Sequence, residues 1–271
     1  MTAAGSPRFG VTCETGIGPA RGGRATNEDN FLVAVAGEIH WRDGDARAAG
    51  ERPTHAGAMF AVADGMGGHE DGEIASYSAV QALARYASEP PDSMHPAELR
   101  EFLLDAHGRL RARASRDGVV RMGTTLDVVW VQDGQATWAH VGDSRIYLLR
   151  DGRLSALTRD HTRAEFADRD GRPLPSHPHN LAQNFIYGSR GLGNDSGVRI
   201  DAGVDTGTFQ VQPGDRLVLT TDGVHGAVAL ESMLAIALES NGPQACAEAL
   251  VDAGMRAGSD DNLTALVVDL G

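Results

Sequence analysis

Lysine is absent from this chain: every one of its 24 basic side chains is an arginine. A guanidinium stays protonated at physiological pH, so an amine nucleophile or Schiff-base chemistry on a lysine is excluded. The bias toward Arg and Ala reads as a coding preference and carries no mechanism. Cysteine is nearly as scarce. The two thiols, Cys13 and Cys246, lie far apart, which excludes a disulfide framework and fits structural thiols in a reduced compartment. Positive charge is in short supply: 24 basic against 37 acidic residues give a net charge of -13, which repels nucleic-acid backbones and anionic lipid surfaces alike. Neither nucleic acid nor membrane is an expected partner. No stretch approaches the roughly 18 to 20 consecutive apolar residues of a membrane span, and the N-terminus lacks a basic-then-apolar signal. The expected location is cytoplasmic.

What is present is the composition of a globular protein. Hydrophobic residues make up 41% and charged ones 23% of 271 residues, enough for one sizeable core without staples or partners. Residues 1–8 read as a frayed start, and 9–271 as a single domain expected to be monomeric.

Apolar runs at Phe9 to Thr15, Phe31 to Ala36 and Ala58 to Ala63 predict strands, with the Gly-, Arg- and Asp-rich stretch Gly37 to Gly57 as a long hairpin connection. Helical spacing follows. Ile74, Tyr77, Ser78, Val80, Ala82, Leu83 and Tyr86 mark a helix over Gly72 to Ala87, and Leu99, Phe102, Leu103, Ala106 and Leu110 a second over Pro96 to Ser115. The period then shifts toward two residues in Thr124 to Val131, Gln135 to Val141 and Ser144 to Leu149, an antiparallel meander with turns at Asp133-Gly134 and Gly142-Asp143. Asp160 to Asn194 is polar and reads as a short helix plus a surface flap. Strands at Val198 to Val211 and Arg216 to Thr220, helices at Leu230 to Glu239 and Pro243 to Ala257, and a last strand at Leu263 to Leu270 complete the chain. This order predicts an α+β fold, a four-layer α-β-β-α sandwich of two packed antiparallel sheets flanked by helices. Trp130 and Trp138 fall in strands and read as core, while Trp41 lies in the connection, where a partner could touch it.

The chemical signal is a set of aspartates at turns that follow or precede apolar strands: Asp64 in Asp64-Gly65-Met66-Gly67-Gly68-His69, Asp143 in Gly142-Asp143-Ser144, Asp222 in Thr221-Asp222-Gly223, and the pair Asp260-Asp261 before Asn262. A carboxylate at the end of an apolar strand is costly to desolvate unless a cation or hydrogen-bond donors compensate it. Several together ask for a metal, and carboxylates without Cys or His favour hard ions such as Mg²⁺ and Mn²⁺ over zinc. Any one Asp-Gly pair alone is an ordinary turn, which is the preferred interpretation of Asp133-Gly134 and Asp151-Gly152. Near the N-terminus, Arg24 with Glu28 and Asp29 joins a cation suited to gripping phosphate with two carboxylates.

Taken in order, Arg24-x-x-Asn27-Glu28-Asp29, Asp64-Gly65-Met66-Gly67-Gly68-His69, Gly123-Thr124-Thr125, Val141-Gly142-Asp143-Ser144-Arg145, Leu157-Thr158-x-Asp160-His161, Thr221-Asp222-Gly223 and Asp260-Asp261-Asn262 resemble the bacterial branch of the metal-dependent, type 2C serine/threonine protein phosphatases. The resemblance spans almost the whole chain. It implies a two-ion Mn²⁺ or Mg²⁺ site with Asp64 bridging the ions, the Gly65 carbonyl on the second, and Asp222 and Asp261 completing the first. Asp29, with Glu28, would act mainly through water on the ions, Arg24 would hold the substrate phosphate, and Asn262 would support the site by hydrogen bonding. Water activated between the ions would attack the phosphorus of phosphoserine or phosphothreonine in line, with no phosphoenzyme. The expected substrate is a protein phosphorylated by a serine/threonine kinase.

Three histidines are candidates around this site. His69 is a candidate for proton transfer, although Met66 stands where relatives outside bacteria carry an acid histidine; His161 reads as structural, and His225 closely follows the Asp222-Gly223 pair. Gly226 occupies a position where the family usually has a carboxylate that holds a third ion with Asp143 and Asp222, so a third site is expected to be weak or altered. The flap, Ile186 to Gly193, also departs from the family's usual run. The competing interpretations are a phosphoprotein-binding pseudophosphatase, disfavoured by the full set of carboxylates, a phosphatase of a regulatory antagonist in stress signalling or of small phosphoesters, and a nuclease, disfavoured by the acidic charge.

Overall fold

Residues Ala58–Ala63 form a strand in which all six side chains are buried, and their alternation shows how the layers are built. Met59, Ala61 and Ala63 pack into one apolar cluster with helical residues such as Val80, Leu83 and Leu103. Ala58, Phe60 and Val62 face a second cluster with Ile146, Leu217, Leu219 and Leu266. A strand apolar on both faces requires cover on both faces, so this strand lies inside a sandwich that is itself capped by helices.

The computed structural model describes residues 7–47, 57–66, 70–89, 95–117, 123–174, 176–177 and 203–271. In chain order the elements are β1 (Arg8–Glu14), β2 (Asn30–Val35), β3 (Glu38–Trp41), β4 (Gly44–Arg47), β5 (Ala58–Ala63), β6 (Gly65–Met66), α1 (Glu70–Ser88), α2 (Pro96–Asp117), β7 (Gly123–Thr124), β8 (Leu126–Gln132), β9 (Gln135–Val141), β10 (Arg145–Arg150), β11 (Arg153–Ala156), α3 (Arg163–Arg169), β12 (Asp205–Gln210), β13 (Arg216–Thr220), α4 (Asp222–His225), α5 (Leu230–Glu239), α6 (Pro243–Ala257) and β14 (Leu263–Asp269). A seven-stranded sheet runs β12-β9-β8-β5-β2-β3-β4, a five-stranded sheet runs β1-β14-β13-β10-β11, and β6 and β7 form a small pair. The large sheets are antiparallel throughout. Helices α1 and α2 cover the larger sheet, and α5 and α6 cover the smaller one. This is the four-layer α-β-β-α arrangement the sequence predicts. No described helix is long and apolar enough to cross a membrane.

Local chemistry explains several boundaries. Thr162 caps α3 by accepting the Glu165 N–H at 3.2 Å, while α6 opens on Pro243 and closes on Gly258 in the left-handed region at φ 84°. Asp133-Gly134 and Asp151-Gly152 both adopt positive φ in two-residue hairpin loops, as ordinary turns of that sequence do.

Four expectations need correction. The connection Gly37 to Gly57 is more than a hairpin loop: it contains β3 and β4, which extend the seven-stranded sheet, and Trp41 packs against the core rather than awaiting a partner. On α1 the buried stripe is Ala75, Ala79, Val80, Leu83 and Ala87, with Ile74 and Tyr77 exposed; small side chains let the helix approach the sheet closely, so size outweighed hydrophobicity. The meander breaks at Gly142-Asp143, because β10 leaves β9 and pairs with β13 and β11 in the other sheet. That turn is a crossing between layers. Of the strand expected over Val198 to Val211, Asp205–Gln210 forms β12; residues 198–202, like His69 and the flap at 186–193, fall outside the described residues.

Candidate metal centre

Strand register places the candidate aspartates at one end of the sandwich. Asn30, directly after Asp29, pairs with Ala63, directly before Asp64. Leu126 pairs with Val141, which puts the Asp143 turn at the same edge. Arg145 pairs with Thr220 and Thr220 with Ala265, which brings in Asp222 and Asp261. These five turns lie far apart in the chain, yet each adjoins a strand whose pairing is fixed along its whole length.

Backbone and hydroxyl contacts then fix the segments that carry these carboxylates. The Asp64 N–H donates to Thr125 Oγ1 at 2.9 Å, the Thr125 N–H returns to the Asp64 carbonyl at 2.9 Å, and Thr125 Oγ1 lies 2.6 Å from Ser144 Oγ. Thr221 and Thr264 both donate to Asp29 Oδ2, at 2.8 and 2.7 Å. Asn262 accepts the Glu28 N–H at 2.8 Å and donates to the Thr26 and Thr15 carbonyls at 2.9 and 3.3 Å. Arg24 Nη2 donates to Asp261 Oδ2 at 2.9 Å. Arg42, from the turn between β3 and β4, grips the Asn27 carbonyl and Glu73 of α1, so the extra hairpin braces the loop that carries Glu28 and Asp29.

Two glycines are needed for closeness. A Cβ on Gly65 would lie 2.2 Å from the Gly72 carbonyl oxygen, and one on Gly72 would lie 2.1 Å from Glu28 Oε2. The first turn of α1 therefore carries a glycine that makes room for the Glu28 carboxylate. Thr221 was visible only as a motif neighbour of Asp222, and neither it nor Thr264 nor Gly72 was given a role from sequence. A threonine in the apolar run of β14 and a glycine within a helical pattern were the available signals.

The electrostatics show what the cluster lacks. Burial first, and then the charges of Asp29, Asp222, Asp143 and Asp261, push Asp64 well above the ordinary carboxylate range. Asp29 is raised to about 7 by burial, against the two threonine hydrogen bonds, with Asp222 and Asp261 adding to the rise. Asp143 is likewise raised to about 7, by burial and then Asp222, and Asp222 is raised by burial and then Asp261. Asp29 Oδ1 and Asp222 Oδ1 are buried without a hydrogen-bond partner. Buried carboxylates that repel one another and leave oxygens unpaired fit divalent cations. Among the described residues no three carboxylate, imidazole or thiolate groups form a ready-made cage, so an ion held here would also draw on the Gly65 carbonyl and water, ligands that hard ions accept.

His225 is not placed as a proton donor to substrate. Its Nδ1 lies 2.9 Å from Thr220 Oγ1, its ring hydrogen-bonds the Asp143 backbone, and burial followed by the Arg145 charge lowers its pKa to about 3. Gly226 supplies no carboxylate, and an added Cβ would lie 2.6 Å from the Asp222 carbonyl oxygen. Cys13 sits behind Asp29, accepting from Asn27 and lying 3.1 Å from Thr264 Oγ1, whose one proton goes to Asp29, with burial raising its pKa to about 12. It is a packed, inert thiol.

These shifts have a signed consequence for the protein in EDTA. Acids with raised folded pKa values keep protons that the unfolded chain has lost, so stability falls as pH rises through about 7. His161 and His225, lowered to about 4 and about 3, act oppositely only below their unfolded value near 6.5. Between pH 6.5 and 8 the metal-free melting temperature should therefore fall, and the gain on adding Mn²⁺ should grow, as differential scanning calorimetry would record. A metal-free melting temperature that rises across this window would contradict the electrostatic picture.

The comparisons with known proteins agree with this geometry. The family model described as Protein phosphatase 2C matches residues 44–253. The serine/threonine protein phosphatase PstP of Mycobacterium tuberculosis is 32% identical over 229 residues, covering 84% of this chain and 43% of that protein, so the chain spans less than half of that relative's length. Protein phosphatase PhpP of Streptococcus pneumoniae is 31% identical over 217 residues, covering 78% of this chain and 85% of that protein. The solved catalytic domain of PstP in complex with two manganese ions superposes with a TM-score of 0.72 at 27% identity, covering 97% of this chain and 98% of that one. With the fold, the converging carboxylates and a family match over most of its length in agreement, this chain belongs to the protein phosphatase 2C family.

Proposed function

We propose that the chain hydrolyses phosphoserine and phosphothreonine on proteins, using two Mn²⁺ or Mg²⁺ ions held at the end of the sandwich. The observation that carries this proposal is the cluster of Asp64, Asp222, Asp29 and Asp143, whose raised pKa values, with the unpaired oxygens of Asp29 and Asp222, call for cations. The related PstP domain with two manganese ions supports the choice of ion. Asp64, Asp222, Asp261 and the Gly65 carbonyl would hold the ions. When bound, such ions acidify water and neutralise phosphoryl oxygens.

The chain's own residues do the rest. Asp29 has Oδ2 committed to Thr221 and Thr264, which leaves Oδ1 to orient water by accepting a hydrogen bond. Glu28 lies buried beside Gly72, where its carboxylate adds negative charge and favours a cationic centre. Arg24 is half exposed, with one nitrogen on Asp261, and its remaining donors can fork onto a phosphate from the solvent side. Asn262 keeps the loop bearing Glu28 and Asp29 in register with Asp261. Asp143 and Asp222 without a carboxylate at position 226 leave a third ion weakly held. The substrate is a phosphoprotein made by a serine/threonine kinase, and the enzyme acts as a cytoplasmic monomer formed by one domain over 9–271.

The test is release of phosphate from a phosphothreonine peptide in EDTA and after adding back Mn²⁺ or Mg²⁺. Turnover should require the ion. In Arg24→Ala, KM should rise about 10- to 100-fold, the worth of about 1.5–3 kcal/mol for a hydrogen bond to a charged group. Turnover undiminished in EDTA, or none with any phosphopeptide in Mn²⁺, would overturn the proposal; in the second case the phosphoprotein-binding alternative would stand.

A further inference from the structure

The residues on either side of Asp143 are tied to a second segment by a dense set of contacts. His140 Nε2 donates to the Arg159 carbonyl at 2.9 Å. The Gly142 N–H donates to His161 Nδ1 at 3.2 Å, and the His161 N–H donates to the Gly142 carbonyl at 2.7 Å. Arg145 grips Asp160 with Nε and Nη2, both at 2.8 Å. Positions 140, 142 and 145 thus hold 159, 161 and 160, and Asp143 lies in the middle of the span they brace.

The conformation so held cannot be adopted cheaply by another residue. Gly142 has φ 117°, and a Cβ there would lie 2.5 Å from Thr125 Cγ2. Thr125 in turn orders the Asp64 turn. Rotation at Gly142 would swing Asp143 while leaving the strands in place, so the two contacts from His161 act at the hinge of the turn.

The protonation state of His161 follows from its partners. A backbone N–H can only donate, so Nδ1 must be the bare nitrogen and the proton sits on Nε2. Nε2 lies 3.2 Å from Asp205 Oδ2, off the line of an ideal hydrogen bond, and Arg169 holds Asp205 at 2.9 and 2.6 Å. The neighbouring His140 ring, 4.5 Å away, is paired with buried Asp127 at 2.5 Å. Burial, and then the charge on His140, keep His161 neutral, with a pKa lowered to about 4. None of these side chains belongs to the carboxylate cluster.

We propose that His161 is a positioning residue for Asp143: through Nδ1 and its own N–H it locks Gly142, and Asp205 with Arg169 fixes the tautomer that makes this possible. The proposal rests on Asp143 being a metal-side carboxylate. Partners that orient ligands rather than touch the metal typically change affinity about 10- to 100-fold when removed.

The two ring nitrogens can be tested separately. Asn at position 161 puts an acceptor where Nδ1 was, whereas Gln reaches only toward Asp205. Mn²⁺ binding by titration calorimetry should weaken about 10-fold in His161→Gln, with kcat recovering at saturating Mn²⁺, and should stay within about 2-fold of wild type in His161→Asn. Asp205→Ala, a change at a partly exposed strand end, should weaken Mn²⁺ binding in the same direction and provides the test if His161→Gln does not fold. In an Asp143→Asn background the effect of His161→Gln should vanish.

Equal losses in the Asn and Gln variants, or a lowered melting temperature with unchanged Mn²⁺ binding, would reduce His161 to a packing residue and overturn the proposal. If Asp143→Asn leaves the isotherm unchanged, the assignment of Asp143 falls, and this inference with it, while the proposal for Asp64 and Asp222 is untouched.

Discussion

Asp64→Asn should lose phosphatase activity by about 10³-fold while the metal-free protein becomes no less stable than wild type. The two halves of this result have one cause. Asp64 is partly buried and receives the repulsion of four other aspartates. An amide of the same shape removes a charge that burial disfavours, so folding without metal is relieved. The same change removes the carboxylate proposed to hold the two cations, and several kcal/mol of transition-state stabilisation correspond to about three decades in rate. Steady-state kinetics on a phosphothreonine peptide, paired with calorimetry in EDTA, measure both. Lost activity accompanied by a strongly lowered metal-free melting temperature would mean that Asp64 is a structural residue.

Asn262→Leu should be the most damaging substitution for the fold of the site, costing about 3–5 kcal/mol. Asn262 is almost completely buried and satisfies three backbone groups at the two ends of the β1–β2 connection: the Glu28 N–H and the Thr26 and Thr15 carbonyls. Leucine has similar bulk and no polar atoms, so each group is left unpaired at about 1–3 kcal/mol. Because Glu28 and Asp29 sit at the end of that connection, the loss should reach activity as well. Urea denaturation with Mn²⁺ present would give the stability change. A loss below about 1 kcal/mol would show that water replaces the amide and that the loop is held elsewhere.

Much of the site was legible before the structure because its aspartates stand beside apolar strands. Ala61-Val62-Ala63-Asp64 and Leu219-Thr220-Thr221-Asp222 announce a strand and then a charge that strand burial would penalise. What stayed hidden was the origin of the constraint on those charges. The role of Thr264 depends on pairing between β13 and β14, since only that register brings it with Thr221 onto Asp29 Oδ2. The sheet crossing at Gly142-Asp143 reads as a hairpin because β9 and β10 both alternate, and alternation does not say which sheet a strand joins. Likewise Ile74 and Tyr77 look like the buried face of α1 by hydrophobicity, yet the close contact with the sheet selects Ala75, Ala79 and Ala87. Arg42 lies in a stretch whose composition suggests an irregular connection, and its grip on Asn27 depends on the β3–β4 hairpin.

The pairing of His161 with Gly142 belongs to the same hidden class. The motifs Val141-Gly142-Asp143-Ser144-Arg145 and Thr158-x-Asp160-His161 are visible separately. Their contacts run through backbone groups, which a sequence does not rank.

The most direct test of the metal centre is anomalous scattering at the manganese edge from crystals grown with Mn²⁺. The expected result is two peaks at the end of the sandwich, within ligand distance of Asp64, with Asp222 and Asp261 on one of them and the Gly65 carbonyl on the other. Peaks confined to surface carboxylates, or none with the protein saturated in Mn²⁺, would contradict the assignment of this cluster as a two-ion catalytic centre.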